Sequence, residues 1–282
     1  MTDYSALKRG GFIPQRQDGF FSLRIKVLGG RLEAENLTTL AALAETYGRG
    51  HVHLTTRQGL EIPFIRLGDI EAVKEALDEG GLRPASLAPG LRTMTACQGT
   101  SVCSSGLMAP QDMVETLDRE LDGCELPHKF KIGVTGCPNN CIKAEENDIG
   151  LKGALIPLWT APDRCTHCGL CQKACPVQAI VVTKDDLSYD SEKCIHCGRC
   201  YNRCPEKCWS GRPGWHLYFG GLFGNNIQLG RRFFPTLTED RDVLAAIGRG
   251  LEFFRQNGKK RERFGLTVDR VGWDKLEDFL AG

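Results

Sequence analysis

No stretch of this sequence approaches the ~20 consecutive apolar residues of a membrane-spanning helix. The polar segment from Met1 to Gly10 also lacks the apolar centre of a secretion signal, so a soluble, cytoplasmic protein with no membrane span is expected. An excess of charge of one sign is equally missing. Thirty-six Lys+Arg balance 35 Asp+Glu, which disfavours nucleic acid or an anionic membrane as a partner and requires any functional positive charge to be local. No Gly-x-Gly-x-x-Gly follows a strand. The nearest run, Gly220-Gly221-Leu222-Phe223-Gly224, has the wrong interval and no acidic residue after it, which excludes a dinucleotide site able to accept hydride. Length is sufficient: 282 residues with 41% hydrophobic content can form one large domain or two smaller ones.

What the chain has in excess is cysteine. Fourteen in a reducing compartment point to metal ligation rather than disulfides. Eight of them form two runs of identical spacing, Cys165-x2-Cys168-x2-Cys171-x3-Cys175-Pro176 and Cys194-x2-Cys197-x2-Cys200-x3-Cys204-Pro205. Three thiolates at this pitch wrap one 4Fe-4S cube, and in two-cluster ferredoxins the fourth cysteine of each run ligates the other cube. The expected sets are therefore Cys165, Cys168, Cys171 and Cys204, and Cys194, Cys197, Cys200 and Cys175. Zinc ordinarily takes separated Cys-x2-Cys pairs, and disulfides require neither a duplicated interval nor the prolines.

Four further cysteines, Cys97-x5-Cys103 and Cys137-x3-Cys141, form a second constellation whose spacing suits a metal centre, zinc included. Gly136-Cys137-Pro138-Asn139-Asn140-Cys141 reads as a tight loop in which glycine and proline set the backbone and let two sulfurs converge. Cys124 and Cys208 have no partner at a recognised interval and read as small residues or free thiols, with Cys208 close enough in sequence to touch the surroundings of a cluster.

Periodicity organises the rest. Phe21, Leu23, Ile25 and Val27 alternate with polar residues and predict a half-buried strand. A helix from about Leu32 to Tyr47 follows, then strands at His51–Thr56 and Glu61–Ile65, and a helix from Asp69 to Asp78 stopped by Gly80-Gly81. This is a βαββα unit of ferredoxin-like topology. Beyond it come a helix near Gln111–Leu121, strands at Lys129–Val134 and Asp148–Leu155, and a late helix at Glu239–Gln256. The strand Asp148–Leu155 would pair naturally with Trp215–Gly220, yet a cysteine-rich stretch bounded by Pro157, Pro162, Gly211 and Pro213 lies between them. That stretch reads as a domain inserted into a surface loop, at modest entropic cost.

The chain resembles the siroheme-dependent sulfite and nitrite reductases. The resemblance is carried by Thr55-Thr56-Arg57-Gln58, Arg92-Thr93-Met94-Thr95-Ala96-Cys97, Leu126-Pro127-His128-Lys129-Phe130-Lys131 and Val134-Thr135-Gly136-Cys137-Pro138-Asn139-Asn140-Cys141. It covers about 20 to 157 and resumes near Trp215. It implies an α+β fold with a ferredoxin-like half-domain over 1–82 and a siroheme and 4Fe-4S α/β domain over 83–157 and 213–282. A bacterial ferredoxin domain with two 4Fe-4S clusters is inserted over 158–212, closest in architecture to the anaerobic, dissimilatory-type sulfite reductases. By resemblance, Cys97, Cys103, Cys137 and Cys141 hold a third 4Fe-4S cluster, and Cys141 also ligates the siroheme iron. The resemblance further places Arg57, Arg92, Lys129 and Lys131 at the substrate anion, and Thr56, Gln58, Asn225, Asn226, Arg231 and Arg232 at siroheme and its carboxylates.

The same residues carry a physical reading. In a strand, Lys129 and Lys131 share one face while Phe130, Ile132 and Val134 share the other. Arginine offers a planar fork to two oxygens, and lysine a compact charge able to release a proton. Both suit six-electron reduction of sulfite to sulfide, with nitrite to ammonia on the same scaffold as the alternative. A non-catalytic iron-sulfur electron-transfer protein is the alternative of another class. Seen in isolation, a Lys-x-Lys pair is a solvated edge and the Arg231-Arg232 pair a solvated surface. His51 and His53 read equally as structural histidines, and His167 and His196 as a repeated surface position. With no dinucleotide site, electrons must come from a ferredoxin or flavoprotein partner and enter through the inserted clusters. Because the module occurs once where the best-known relatives carry two copies, a homo- or hetero-oligomer is expected.

Overall fold

The computed structural model describes residues 3–282. The first unit contains α1 (Tyr4–Arg9), β1 (Phe12–Pro14), β2 (Phe20–Ile25), α2 (Ala34–Tyr47), β3 (His53–Leu54), β4 (Leu60–Arg66) and α3 (Ile70–Glu79). Its antiparallel sheet runs β1-β2-β4-β3. The alternation in β2 places Phe21, Leu23 and Ile25 against Leu40, Leu43, Val73 and Leu77 of the two helices. A capping box between Glu33 and Asn36 starts α2, and Gly80 ends α3. The strand expected over His51–Thr56 is shortened to two residues, because Thr55 and Thr56 go into a turn. Gln58 N–H donates to the Thr55 carbonyl (3.2 Å), and Gly59 N–H to the Thr55 hydroxyl (3.0 Å). The unit also reaches past residue 82: Pro84 bridges Ile25, and Ala85 N–H donates to the Arg24 carbonyl.

The second unit begins with β5 (Thr95–Ala96), α4 (Pro110–Leu121), β6 (Ile132–Thr135) and β7 (Ile149–Trp159). The cysteine-rich segment follows, with α5 (Leu170–Ala174), β8 (Ile180–Val182), β9 (Leu187–Tyr189) and α6 (Arg199–Arg203). The chain returns through β10 (Trp209–Phe219), β11 (Leu222–Phe223), β12 (Ile227–Gln228) and β13 (Arg231–Arg232), and ends in α7 (Asp240–Asn257), α8 (Phe264–Val271) and α9 (Trp273–Ala281). The second sheet is ordered β13-β10-β7-β6-β5, parallel between β5, β6 and β7 and antiparallel elsewhere. Phe130, Ile132, Val134, Ile149, Leu151, Leu217 and Phe219 form its core with Phe253, Phe254 and Phe264 of the C-terminal helices. Among the described residues no helix is long and apolar enough to cross a membrane.

The pairing of β7 with β10 holds over their whole length, from Ile149↔Phe219 to Trp159↔Trp209. It crosses Pro157 and Pro213, the expected edges of the insertion, without a break, because both share the parity of Leu155 and Trp215, whose N–H groups point out of the β7–β10 ladder to His196 and Leu237, so no ladder donor is lost. The cysteine-rich segment therefore hangs from a rigid two-stranded stalk. A small core of Cys171, Ile180, Cys200 and Trp209 fills it, with the Trp159 and Trp209 rings 4.8 Å apart at its base.

Candidate functional site

Two cavities meet where the first unit packs on the second. One, of about 310 Å³, is lined by Arg24, Arg57, Arg92, Lys129 and Lys131 with Thr55, Thr56 and Thr93, and no carboxylate faces it. The other, of about 400 Å³, lies over Cys141 and is lined by Thr56, Arg57, Gln58, Thr95, Lys131, Lys143, Asn147 and Phe223. Thr56, Arg57 and Lys131 line both and so mark the junction.

Arg57 reaches that junction from the turn after β3. Its guanidinium donates to Asn147 Oδ1 at 2.8 Å and to the Thr93 carbonyl at 3.3 Å. Burial, followed by the cations of Arg263 and Arg92, lowers its pKa to about 10, with Asp148 opposing. Lys131 is pushed down to about 8, first by burial, then by Arg57 and Arg263, again against the pull of Asp148. Lys129 shifts in the same direction with burial as the main cause. Both lysines precede β6 rather than lying within it, because the Lys131 N–H leaves the ladder for Asp148 Oδ2 at 2.8 Å. The expected alternation survives: Phe130, Ile132 and Val134 are fully buried opposite the lysines.

Three residues absent from the sequence-based site hold this arrangement. Asp148 is fully buried and pairs with Arg263 at 2.7 Å, directly behind Lys131. Burial raises the Asp148 pKa against the opposing pull of Arg263. Nothing local in the sequence signals the pair, since the partners lie on β7's edge and at the start of α8, and Arg263 belongs to a charged run that reads as solvated. Asn147, which orients Arg57, is 4% exposed and carries no sequence signal either.

Other expected site residues have different surroundings. Arg92 lines the cationic cavity, but its guanidinium donates to the carbonyls of Leu87 (2.9 Å) and Ala88 (2.5 Å), so it clamps the loop over residues 86–88. Gln58 lines the other cavity, with its amide spent on both main-chain groups of Ala96, at 2.8 and 2.9 Å. It thereby staples the two units together. Asn225 and Asn226 occupy the exposed tip of the β11–β12 hairpin, whose Phe223 reaches the cavity over Cys141. Arg231 stacks on Trp273 at 4.1 Å and Arg232 donates to His216, and neither lines the two cavities. His51 and His53 lie outside both cavities, and His53 pairs with Glu61 in the sheet.

The cysteines gather in three places. Burial first, and then the neighbouring sulfurs of Cys97, Cys103 and Cys141, push the Cys137 thiol up, so those four lie together. Cys97 Sγ accepts the Gly136 N–H at 3.1 Å. Glycine is needed there because a Cβ would stand 2.9 Å from Gly99 Cα. In the cysteine-rich segment, one cavity is lined by Cys165, Cys168, Cys171 and Cys204, and a second by Cys175, Cys194, Cys197 and Cys200. Among the described residues no three His, Cys, Asp or Glu side chains clasp a single point. A lone zinc would draw its sulfurs to within about 2.3 Å of one centre, whereas a cube spreads its thiolates over four corners around a small void. Each of the two cavities is thus lined by four thiols, the number of donors that one cube takes. His167 and His196 place their main-chain N–H groups 3.4 Å from Cys165 Sγ and Cys194 Sγ, the kind of contact that stabilises a thiolate. Cys124 packs on the main core as an ordinary small residue, but Cys208 lies against Cys204 and Cys165.

Comparison with known proteins agrees with this geometry. The nitrite and sulphite reductase 4Fe-4S domain matches residues 88–280, and the nitrite/sulfite reductase ferredoxin-like half domain matches residues 13–80. The chain is 32% identical to the coenzyme F420-dependent sulfite reductase of Methanocaldococcus jannaschii over 94% of its own length, and it spans 43% of that protein. It is 35% identical to a subunit of the anaerobic sulfite reductase of Salmonella typhimurium, over 77% of this chain and 70% of that one. The ferredoxin–nitrite reductase of Synechococcus elongatus is 36% identical over 52% of the chain and 28% of its own length. In fold the chain matches dissimilatory sulfite reductase I with a TM-score of 0.77, at 21% identity, over 93% of this chain and 69% of that structure. With both units matched in order and a relative of comparable length aligned across most of it, the chain belongs to the nitrite and sulphite reductase family.

Proposed function

We propose that the chain reduces sulfite to sulfide in six electrons. On this reading it uses a siroheme held through Cys141, a 4Fe-4S cluster on Cys97, Cys103, Cys137 and Cys141, and two more cubes in a ferredoxin domain inserted on the β7–β10 stalk. The observation that carries the reading is the junction itself: a cavity lined by five cations opens, past Arg57 and Lys131, onto the cavity over Cys141. When bound, siroheme supplies an iron able to take the substrate's central atom and to pass it electrons singly. The chain's own groups supply the rest. Arg57, held by Asn147 and the Thr93 carbonyl, presents charge to the anion's oxygens. Lys131, with a pKa of about 8, can give a proton to an oxygen leaving as water and recover it near neutral pH. Lys129 adds charge to the cationic cavity.

On the same reading, the cysteine-rich segment delivers the electrons, and two contacts support it. A cavity of about 770 Å³ is lined by Cys137 and Pro138 on one side and by Pro176, Ile195 and Cys197 on the other. Leu155 of β7 donates to the His196 carbonyl at 2.8 Å, which ties the Cys194–Cys197 loop to the strand beside Gly136. The order this supports is entry at the Cys165 set, then the Cys175 and Cys194 set, then Cys137. A ferredoxin or flavoprotein would supply the electrons within a larger assembly.

Sulfite is favoured over nitrite because the sulfite reductase relatives combine 32% and 35% identity with 94% and 77% of this chain, whereas a nitrite reductase of Bacillus subtilis that aligns with 99% of it is 22% identical and the 36% identical one above covers 52%. Anaerobic turnover of each anion with a reduced dye tests the choice. A higher kcat/KM for sulfite is expected, and a strong preference for nitrite would overturn it.

A further inference from the structure

The two cysteine runs repeat at one constant offset, and the backbone repeats with them: His167 and His196, Gly169 and Gly198, and Gln178 and Lys207 all have left-handed φ. Four residues after the last cysteine of each run, a main-chain N–H donates to that cysteine's sulfur. Ala179 does so to Cys175 at 3.2 Å, and Cys208 to Cys204 at 3.3 Å. Both positions are closed to solvent, at 2% and 1% exposure. A methyl therefore satisfies the packing in one half, whereas the other half carries a thiol.

That thiol is not placed as a spectator. Cys208 lines the cavity of the Cys165, Cys168, Cys171 and Cys204 set, with its sulfur against those of Cys204 and Cys165. A second group points the same way. The Trp209 indole N–H, on a residue 2% exposed, has no oxygen or nitrogen partner and is directed at the Cys171 sulfur, which lines the same cavity. A buried donor of that kind is satisfied by a thiolate cluster.

We propose that Cys208 is a reserve ligand of this cube, able to occupy the iron corner that Cys204 vacates. In the exchange a Cys208 sulfur–iron bond forms as the Cys204 sulfur–iron bond breaks, and the proton released by Cys208 ends on Cys204. No electron moves, so oxidation states are unchanged. The other cube has no reserve, because Ala179 stands at the equivalent position, and one chain thus contains both the device and its control. The proposal rests on the loading of the two runs with cubes given above.

The test compares anaerobically purified wild type, Cys204→Ala, Cys175→Ala and the double variant Cys204→Ala/Cys208→Ala. The readouts are iron and acid-labile sulfide content, and the EPR signal of three-iron clusters after mild oxidation. Cys204→Ala is expected to keep wild-type iron and show no three-iron signal. Cys175→Ala and the double variant are expected to lose one iron and show it. A three-iron signal in Cys204→Ala matching that of Cys175→Ala overturns the reserve role, as does full iron retention in the double variant. If wild type itself lacks the iron of the two cubes, the loading fails instead. Should Cys204→Ala be insoluble, Cys208→Ala decides: its methyl fits as Ala179 does, and ferricyanide should strip its iron faster than from wild type, whereas an unchanged rate overturns the proposal.

Discussion

Replacing Lys131 by arginine separates charge from proton delivery. Burial, Arg57 and Arg263 push the Lys131 pKa down to about 8, so the donating form is complete below that pH and is lost as pH rises through it. Arginine keeps its proton over the whole range. Lys131→Arg should therefore bind sulfite with a KM near that of wild type while losing kcat, and a positioned general acid contributes roughly 10²–10⁴-fold. Its pH profile should lack the fall near pH 8, whereas Lys131→Met loses binding as well. Arg57→Gln removes the second cause of the depressed pKa and should move the fall to higher pH. The stability effect has the opposite sense. Because the folded state holds this proton less firmly than the unfolded chain, stability should rise as pH climbs from about 8 toward the ordinary lysine value of 10.5. The assay is anaerobic sulfide production with a reduced dye across the neutral to alkaline range. Wild-type kcat and an unshifted alkaline fall in Lys131→Arg would refute the proton-donor role.

Three further substitutions test the framework. Arg263→Met leaves Asp148 fully buried without its ion-pair partner and should cost about 3–5 kcal/mol in denaturant unfolding. Gln58→Ala removes two hydrogen bonds to Ala96 and should cost roughly 1–3 kcal/mol, with faster proteolysis between the two units. Gly136→Ala forces a Cβ against Gly99 and the Met108 carbonyl, each 2.9 Å away. It should cost about 1–3 kcal/mol and lower the iron content of the Cys137 centre.

Much of the fold is legible in the sequence because its signals are local. The alternation in β2, the glycine after α3 and the separation of Trp215 from Asp148 each reflect neighbours in sequence or one obvious partner strand. The strand near His53 is shorter than its β-forming residues suggest because turn chemistry at Thr55 outweighs them. In the site, spacing alone groups the eight cysteines of the duplicated runs as the two cavities group them. Arg57 and Lys131 stand out through motif resemblance. Arg92 and Gln58 fall at the expected cavities, and their hydrogen bonds to main-chain groups carry no sequence signal because which acceptors a guanidinium or amide meets depends on loops remote in sequence. The same limit hides Asp148 and Arg263, whose pairing exists only after the C-terminal helices pack on the second sheet. Arg231 and Arg232 read as carboxylate receptors, yet one is held by Trp273 and the other by His216. The closeness of Cys208 to a cluster is legible in the sequence, but its contact with the Cys204 and Cys165 sulfurs is visible only in the fold.

What Cys141 holds decides between a siroheme enzyme and a simple electron carrier. Protein prepared anaerobically with full iron and sulfide should show a Soret band and a red absorption band and release one siroheme per chain into acid acetone, and Cys141→Ser should lose both the tetrapyrrole and the iron of the Cys137 centre. Iron-sulfur absorption alone, with no extractable tetrapyrrole from fully loaded protein, would contradict the siroheme assignment.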